Sequence, residues 1–278
     1  MAVANTVTQF QQVIWSKSIL RSLRTITSLR NHCDFMYEKD SNNAKEVKIL
    51  SVNRPSIHRY VPGTPLVRES ATDSSQILKL DQYHYFNFEV EDIVKAQSVP
   101  GLMEALTDEA SIGLTEEGDK YVAEIVKEAV DGGEVEASAE ITLTKSNAVE
   151  SIENGFVVLY GNNCKVSDTF YLEVAPKPFS LYRQALTELS TNNPEILKKG
   201  AVGKINNAYV CIENLLPESE TAHYNILRTP KAVAFAEQID KVEHYRPEDA
   251  FTGAIKGLYV FGAKIVRPKE IYVIKTKK

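Results

Sequence analysis

Residues 100–131 read PGLMEALTDEASIGLTEEGDKYVAEIVKEAVD, and this stretch decides the fold. Apolar side chains fall at Leu102, Ala105, Leu106, Ala110, Leu114, Val122, Ile125 and Ala129, the spacing of one stripe along an α-helix. The opposite face carries Glu104, Asp108, Glu109, Glu116, Glu117, Asp119, Glu124 and Glu128. Pro100 suits a first turn, and Gly132-Gly133 supplies the stop. Gly113 and Gly118 speak against an unbroken rod, since each costs about 1 kcal/mol against alanine inside a helix. At a rise of about 1.5 Å per residue the element spans about 45 Å. A helix of that length between non-helical segments is expected to act as a strut. The alternative is a plain amphipathic helix on an ordinary domain.

The charge of the chain is unevenly placed. Its 278 residues are enough for one large domain or two modest ones, and 43% apolar and 25% charged residues are those of an ordinary globular protein. The formal net charge of -5 at pH 7 hides three blocks. Residues 1–33 hold Lys17, Arg21, Arg24 and Arg30 and no acid; residues 91–140 hold fourteen acids against three lysines. The end turns basic again, with Lys264, Arg267, Lys269, Lys275, Lys277 and Lys278 against Glu270. Basic ends and an acidic middle can pair between copies of one protein, or the ends can meet phosphates. Solvated faces with no partner are the plainer alternative.

Three cysteines, Cys33, Cys164 and Cys211, form neither an even-numbered framework nor a metal-like spacing, and are expected to pack as small hydrophobes in a reducing cytoplasm. No apolar run approaches the roughly 18 residues that span a bilayer, and no secretory signal is evident at the start, so no membrane partner is expected.

Residues 1–45 do not look self-contained. Phe10, Val13, Ile14, Trp15, Ile19, Leu20, Leu23, Ile26 and Leu29 make one or two short amphipathic helices, whose stripe must lie on the chain's own body or on a neighbour. Residues 46–91 read as a long two-stranded hairpin. Val47, Ile49 and Val52 start the outgoing strand, and Phe86, Phe88 and Val90 alternate with polar residues on the return. The connection, 61–76, contains Pro62, Gly63 and Pro65. Such a hairpin is marginal alone and needs a surface; two strands of a larger sheet joined by a long loop are the alternative. Further on, 132–144 is strand or loop and 148–160 a second helix. Residues 168–175 form a buried strand, and Phe179, Tyr182, Leu186 and Leu189 mark a third helix that ends by Asn192-Asn193-Pro194. Gly200 and Gly203 precede a strand at 208–213, and 232–245 is ambiguous between strand and helix. Residues 257–266 and 271–274 supply closing strands.

Catalytic signatures are missing. Gly113 and Gly118 have the spacing of a phosphate loop, but Asp119-Lys120 lacks its lysine-hydroxyl ending and the setting is acidic. His32 stands beside Cys33 and Asp34 without a second ligand pair at matching spacing, so no metal is expected. His58, His84, His223 and His244 are scattered, and Ser167 and Ser219 lack a nucleophile-elbow context. The aromatic run 83–88 has no interleaved lysine or arginine, which disfavours a nucleic-acid stacking platform. Neither an enzyme nor a cofactor is expected.

The chain's last third carries a familiar pattern. Ala236-Glu-Gln-Ile-Asp-Lys-Val-Glu-His-Tyr-Arg246, then Phe251, then Lys256-Gly-Leu-Tyr-Val-Phe-Gly-Ala-Lys-Ile-Val-Arg-Pro268 resembles the closing segment of tailed-bacteriophage major capsid (coat) proteins. Trp15-Ser-Lys-Ser-Ile-Leu-Arg-Ser-Leu23 is similar to that family's opening helix, and a hairpin beginning near Val47-Lys-Ile follows. Asp92-Ile-Val-Lys-Ala-Gln97 before the long helix, and residues 203–216 closing at Glu213-Asn-Leu-Leu-Pro217, also fit. No single piece is specific; the ordered set carries the likeness over most of the chain.

The resemblance implies an α+β phage capsid (Johnson) fold with an N-terminal arm, an extended hairpin loop, a long spine helix, a peripheral domain and an axial domain. The boundaries it implies are arm 1–45, extended β-hairpin loop 46–91, peripheral domain with spine helix 92–161 and 229–278, and axial domain 162–228. It further implies self-assembly into pentamers and hexamers that form an icosahedral head around phage DNA, in a virion assembled in the host cytoplasm. Scaffolding, portal and decoration proteins are the other partners it implies, with DNA touched only non-specifically through phosphates. Arm and hairpin would dock on a neighbour through a heterologous interface that closes into rings. The expected intersubunit contacts set Lys17, Arg21, Arg24, Arg54, Arg59 and Arg68 of one copy against Glu104, Asp108 and Glu116 of the next. Some members crosslink through a lysine of the loop; here 53–76 holds arginines but no lysine, so that chemistry is not expected. An encapsulin-like compartment shell is the alternative of the same fold.

Overall fold

The acidic stretch forms one uninterrupted helix, α1 (Leu102–Asp131), of 30 residues. Packing outweighs the local weakness at Gly118, where a Cβ would already touch the Phe235 ring and the Tyr259 hydroxyl at 3.4 Å. α1 ends as expected. Gly132 N–H donates to Glu128 O at 2.8 Å and Glu134 N–H to Ala129 O at 2.9 Å, while Gly133 turns left-handed at φ 75. The burial differs from the expected stripe. Val122, Ala123, Val126, Ala129 and Val130 are buried in the C-terminal half, whereas Leu106 is exposed and Leu114 and Ile125 only partly covered. Asp119, expected on the charged face, lies one turn before Val122 and Ala123 and is buried.

The computed structural model describes residues 28–37, 45–52, 55–60, 62–63, 65, 68, 73–91, 102–188, 204–205, 207–248 and 252–278. The opening helices with Trp15, the segment 92–97, the Asn192-Asn193-Pro194 stop, Gly200, Gly203 and Phe251 lie outside them.

The described strands form three sheets. β1 (Glu46–Val52) pairs antiparallel with β2 (Asp73–Lys79). β3 (Gln82–Glu91), β10 (Thr252–Ile265) and β9 (Val233–Tyr245) make a second sheet in the order β3-β10-β9. The third has the order β4-β11-β8-β5-β7-β6. Its strands are β4 (Glu136–Ala137), β5 (Phe170–Val174), β6 (Lys204–Ile205), β7 (Ala208–Ile212), β8 (Ala222–Arg228) and β11 (Ile271–Lys277). The helices α2 (Ala148–Gly161) and α3 (Pro176–Glu188) cover one face of it.

The hairpin reading is corrected. The strand returning to β1 is β2, whose first residues fall in the expected connection 61–76, while Phe86, Phe88 and Val90 belong to β3 and pair with β10. Alternation marked β3 as a strand but not its partner, because a period of two is the same in any sheet. The ambiguous 232–245 is strand, and Pro176 and Pro178 open α3 rather than merely ending β5.

Strand alternation divides the core. Phe170, Leu172, Val174, Leu227, Tyr272 and Ile274 point to α2 and α3, against Ile152, Phe156, Leu159 and Tyr182. Their neighbours Ile226, Ile271 and Val273 point the other way, into a core shared with α1, Phe235, Tyr259 and Phe261. A third cluster seats the base of the hairpin. Val47, Ile49, Leu78 and Leu80 lie on Ala234, Ala236 and Val260, so this part of the hairpin has its surface on its own chain.

Residues 28–37, placed in the arm by the sequence, also meet their own body. Leu29 is fully buried, and Asp34 bridges parallel to Ala234, with Asp34 N–H donating to Val233 O at 2.8 Å.

Candidate functional site

Segment 28–35 crosses between the two larger sheets, and acids from α1, β5, β9 and the loop after β7 hold it. The Ser28 N–H donates to Glu213 at 2.8 Å, and its hydroxyl donates to the same carboxylate. The Arg30 N–H donates to Asp119 of α1 at 2.6 Å. Its guanidinium pairs with Glu237 of β9 and donates to the Tyr259 hydroxyl at 2.9 Å. His32 Nδ1 meets Glu173 of β5 at 3.0 Å. Glu213, Asp119 and Glu173 are all buried.

Glu173 is the centre of this set. It sits in β5 between Leu172 and Val174, on the face turned away from α2, where burying a lone carboxylate would cost far more than a strand can return. Arg228 of β8 resolves this. Its Nε and Nη2 reach the two Glu173 oxygens at 3.0 and 2.7 Å, and both side chains are fully buried. Arg228 Nη2 also donates to Leu29 O at 2.7 Å and Nη1 to Cys33 Sγ at 3.3 Å, so one guanidinium holds strand and crossing segment together.

Electrostatics follow the geometry. Burial pushes the Glu173 carboxyl up, but the Arg228 charge, with His32, holds it below the ordinary carboxylate range. Burial pulls Arg228 down, and Glu173 more than reverses it. Burial likewise pulls His32 down, yet hydrogen bonds and charge from Cys211 and Glu173 lift it from 6.5 to about 9. His32 is therefore a cation at neutral pH, stacked on Tyr171 with ring centres 4.0 Å apart.

Because the His32 value is raised above that of the unfolded chain, its contribution is full below pH 6.5 and is lost as pH rises through about 9. The loss is on the order of 1–2 kcal/mol after allowing for solvent around the ring. Melting curves of the wild type and of His32→Gln should converge between those pH values. Parallel curves would remove His32 from the account.

Other sequence-marked residues lie at the surface. Arg59 and Arg68 are exposed, in a tip where 55–60 is exposed throughout and Ile57 reaches 83%. Glu104 and Asp108 are exposed and Glu116 half-buried, all in the less covered N-terminal half of α1. Lys17, Arg21, Arg24 and Arg54 lie outside the described residues. A second exposed surface covers one face of the three-stranded sheet, with Tyr83, Tyr85 and Leu258 around the Lys256–Glu243 pair at 3.0 Å. Apolar surface grouped this way marks contact sites.

Glu173, Arg228, Glu213 and Glu237 were missed as functional positions by the sequence. Cys211 is corrected as well: it is half-buried with its Sγ 3.8 Å from His32 Nε2, and does not simply pack as a hydrophobe. Among the described residues no group of three His, Cys, Asp or Glu side chains could hold a metal ion, and no helix is long and apolar enough to cross a membrane.

The whole chain can be compared with solved structures. It superposes on the structure titled Mycobacterium phage Che8 with a TM-score of 0.82, at 24% identity, over 96% of this chain and 97% of that one. The capsid of the cyanophage P-SCSP1u follows at TM-score 0.76 and 14% identity, over 96% and 93% of the two chains. The mature capsid of bacteriophage PhiM1 matches at 0.75 and 14%, over 99% and 94%. The chain has the phage capsid fold. No family model and no curated protein matches its sequence. The capsid fold accounts for the mixed α+β architecture, with a long helix lying beside sheets and a hairpin projecting from them.

Proposed function

We propose that this chain is a major capsid protein, a structural subunit that assembles through pentamers and hexamers into the icosahedral head of a phage particle. The agreement of the fold with phage capsids over 96% of the chain carries this. The encapsulin-like alternative is not favoured, since the similar structures include phage capsids and the capsid of a GTA particle. Assembly takes place in the host cytoplasm, with scaffolding, portal and decoration proteins as further partners and DNA met through phosphates alone. The domain plan follows the family: arm 1–45, extended loop 46–91, peripheral domain 92–161 with 229–278, axial domain 162–228.

The exposed tip supports a mechanism. Ile57, Arg59 and Tyr60 project from a base already seated on its own sheet, and the acidic half of α1 lies at the surface. A tip from one copy docking on α1 of the next makes a heterologous contact, which closes into rings. Arg59 and Arg68, with Lys17, Arg21, Arg24 and Arg54, then face Glu104, Asp108 and Glu116 of the neighbour. Each contact is weak, and their number gives the shell its hold.

Electron microscopy of the recombinant protein should show closed particles. Arg59→Glu with Arg68→Glu should leave the subunit folded and abolish or strongly slow their formation; reversing Glu104 and Asp108 to lysine in the same chain should restore part of it. A compact monomer at high concentration would end the capsid proposal, whereas unchanged assembly by the arginine variant would end only the contact scheme.

A further inference from the structure

The three cysteines occupy three different environments, and Cys211 is the half-buried one that faces an imidazole held by an acid. Cys33 is buried, its thiol pushed up by burial although Arg228 lies beside it. Cys164 is half-buried, and burial pushes its thiol up to about 11, with Glu270 and Asp168 adding to the shift. Cys211 is also half-buried, on β7 next to Glu173 of the parallel strand β5. Its Sγ lies 3.8 Å from His32 Nε2, and His32 Nδ1 lies 3.0 Å from Glu173 Oε1. Sulfur, imidazole and carboxylate thus form a line in which the acid fixes the ring and the ring faces the sulfur. That is the arrangement that activates a nucleophile.

The surroundings add selectivity. Tyr171 covers one face of the ring, and Tyr209, 45% exposed, lies beside Tyr171 at 5.8 Å. Lys204 Nζ stands 5.1 Å over the Tyr209 ring, a cation at the open side of the strand. A small anionic reagent is favoured there over a neutral one.

We propose that Cys211 is a thiol-modification site, which forms mixed disulfides with small anionic disulfides of the glutathione class. In the step, Cys211 Sγ attacks one sulfur of the reagent, forming a new S–S bond as the old one breaks. The cysteine sulfur is oxidised and one half of the reagent is reduced and leaves as a thiolate. The thiol proton goes to solvent, so charge and atoms balance, and the His32 cation faces the sulfur as its negative charge develops. Glu173, locked by Arg228, acts as a positioning residue that keeps the imidazole aimed at the sulfur.

The test uses the full-length protein and glutathione disulfide at neutral pH, with the adduct at each cysteine followed by peptide mass mapping. Cys211 should be modified well ahead of Cys164 and Cys33, and reductant should reverse it. His32→Gln should slow Cys211 by about tenfold and leave Cys164 as it was. Equal rates at Cys164 and Cys211, or a Cys211 rate untouched by His32→Gln, would overturn the assignment. If the variant does not fold, the competition among the three wild-type cysteines decides alone.

Discussion

Replacing Arg228 by methionine is expected to unfold the subunit at ordinary temperatures or bring it close to unfolding. The side chain removed is fully buried and serves Glu173, Leu29 O and Cys33 at once. Removing one member of a buried ion pair typically costs about 3–5 kcal/mol, because the remaining charge is left in a medium that does not solvate it. Total stability of a domain is commonly about 5–15 kcal/mol, so the loss takes a large share of it. Glu173→Gln should cost less, since the amide oxygen still accepts from Arg228, but His32 loses the charge that helps hold it protonated. The pair Arg228→Met with Glu173→Leu gives the decisive comparison. If the penalty is an uncompensated charge, the double variant is more stable than Arg228→Met alone, as urea denaturation of all four proteins would show. A double variant as unstable as the sum of its parts would assign the loss to packing.

This centre also marks how far the sequence could be read. The long helix was legible because its apolar spacing persists over many turns and Gly132-Gly133 ends it. The strand at 168–175 was legible as buried, and there lay an unused signal. Glu173 is a carboxylate between Leu172 and Val174, and Arg228 follows Ile226-Leu227; charges inside apolar strands require partners. Which charge meets which is decided by β5 pairing with β8, a contact between distant segments that no local pattern encodes. The partner of the hairpin strand was hidden for the same reason. The surface charges were legible as blocks, and the structure places Arg59, Arg68, Glu104 and Asp108 at the surface. Their pairing is a property of two copies, which one chain's sequence marks only through complementary sign.

The second large effect is expected at Gly262, where alanine should dislodge the hairpin. An added Cβ would lie 1.9 Å from Lys79 O, 2.8 Å from Lys79 C and 3.0 Å from Leu80 Cα. All three are backbone atoms, at the point where the chain leaves β2 and crosses β10 before starting β3. No side-chain rotation relieves the overlap, so either β10 or the crossing segment must move. Overpacking of a well-filled site costs about 1–3 kcal/mol. Here the displacement also lifts Leu78 and Leu80 from Ala234, Ala236 and Val260, the cluster that seats the hairpin. Gly257 supplies the control. Its added Cβ would meet Phe86 at 2.5 Å, but through the far end of a ring that can turn aside. Gly257→Ala should therefore assemble with a modest defect. Gly262→Ala should keep the sheet that packs on α2 and α3 and lose closed particles, with faster proteolysis in 45–80 as the direct readout. Assembly of Gly262→Ala at the wild-type rate would mean that the hairpin is not held by its seat on β10, and that its direction is fixed instead by the neighbouring copy.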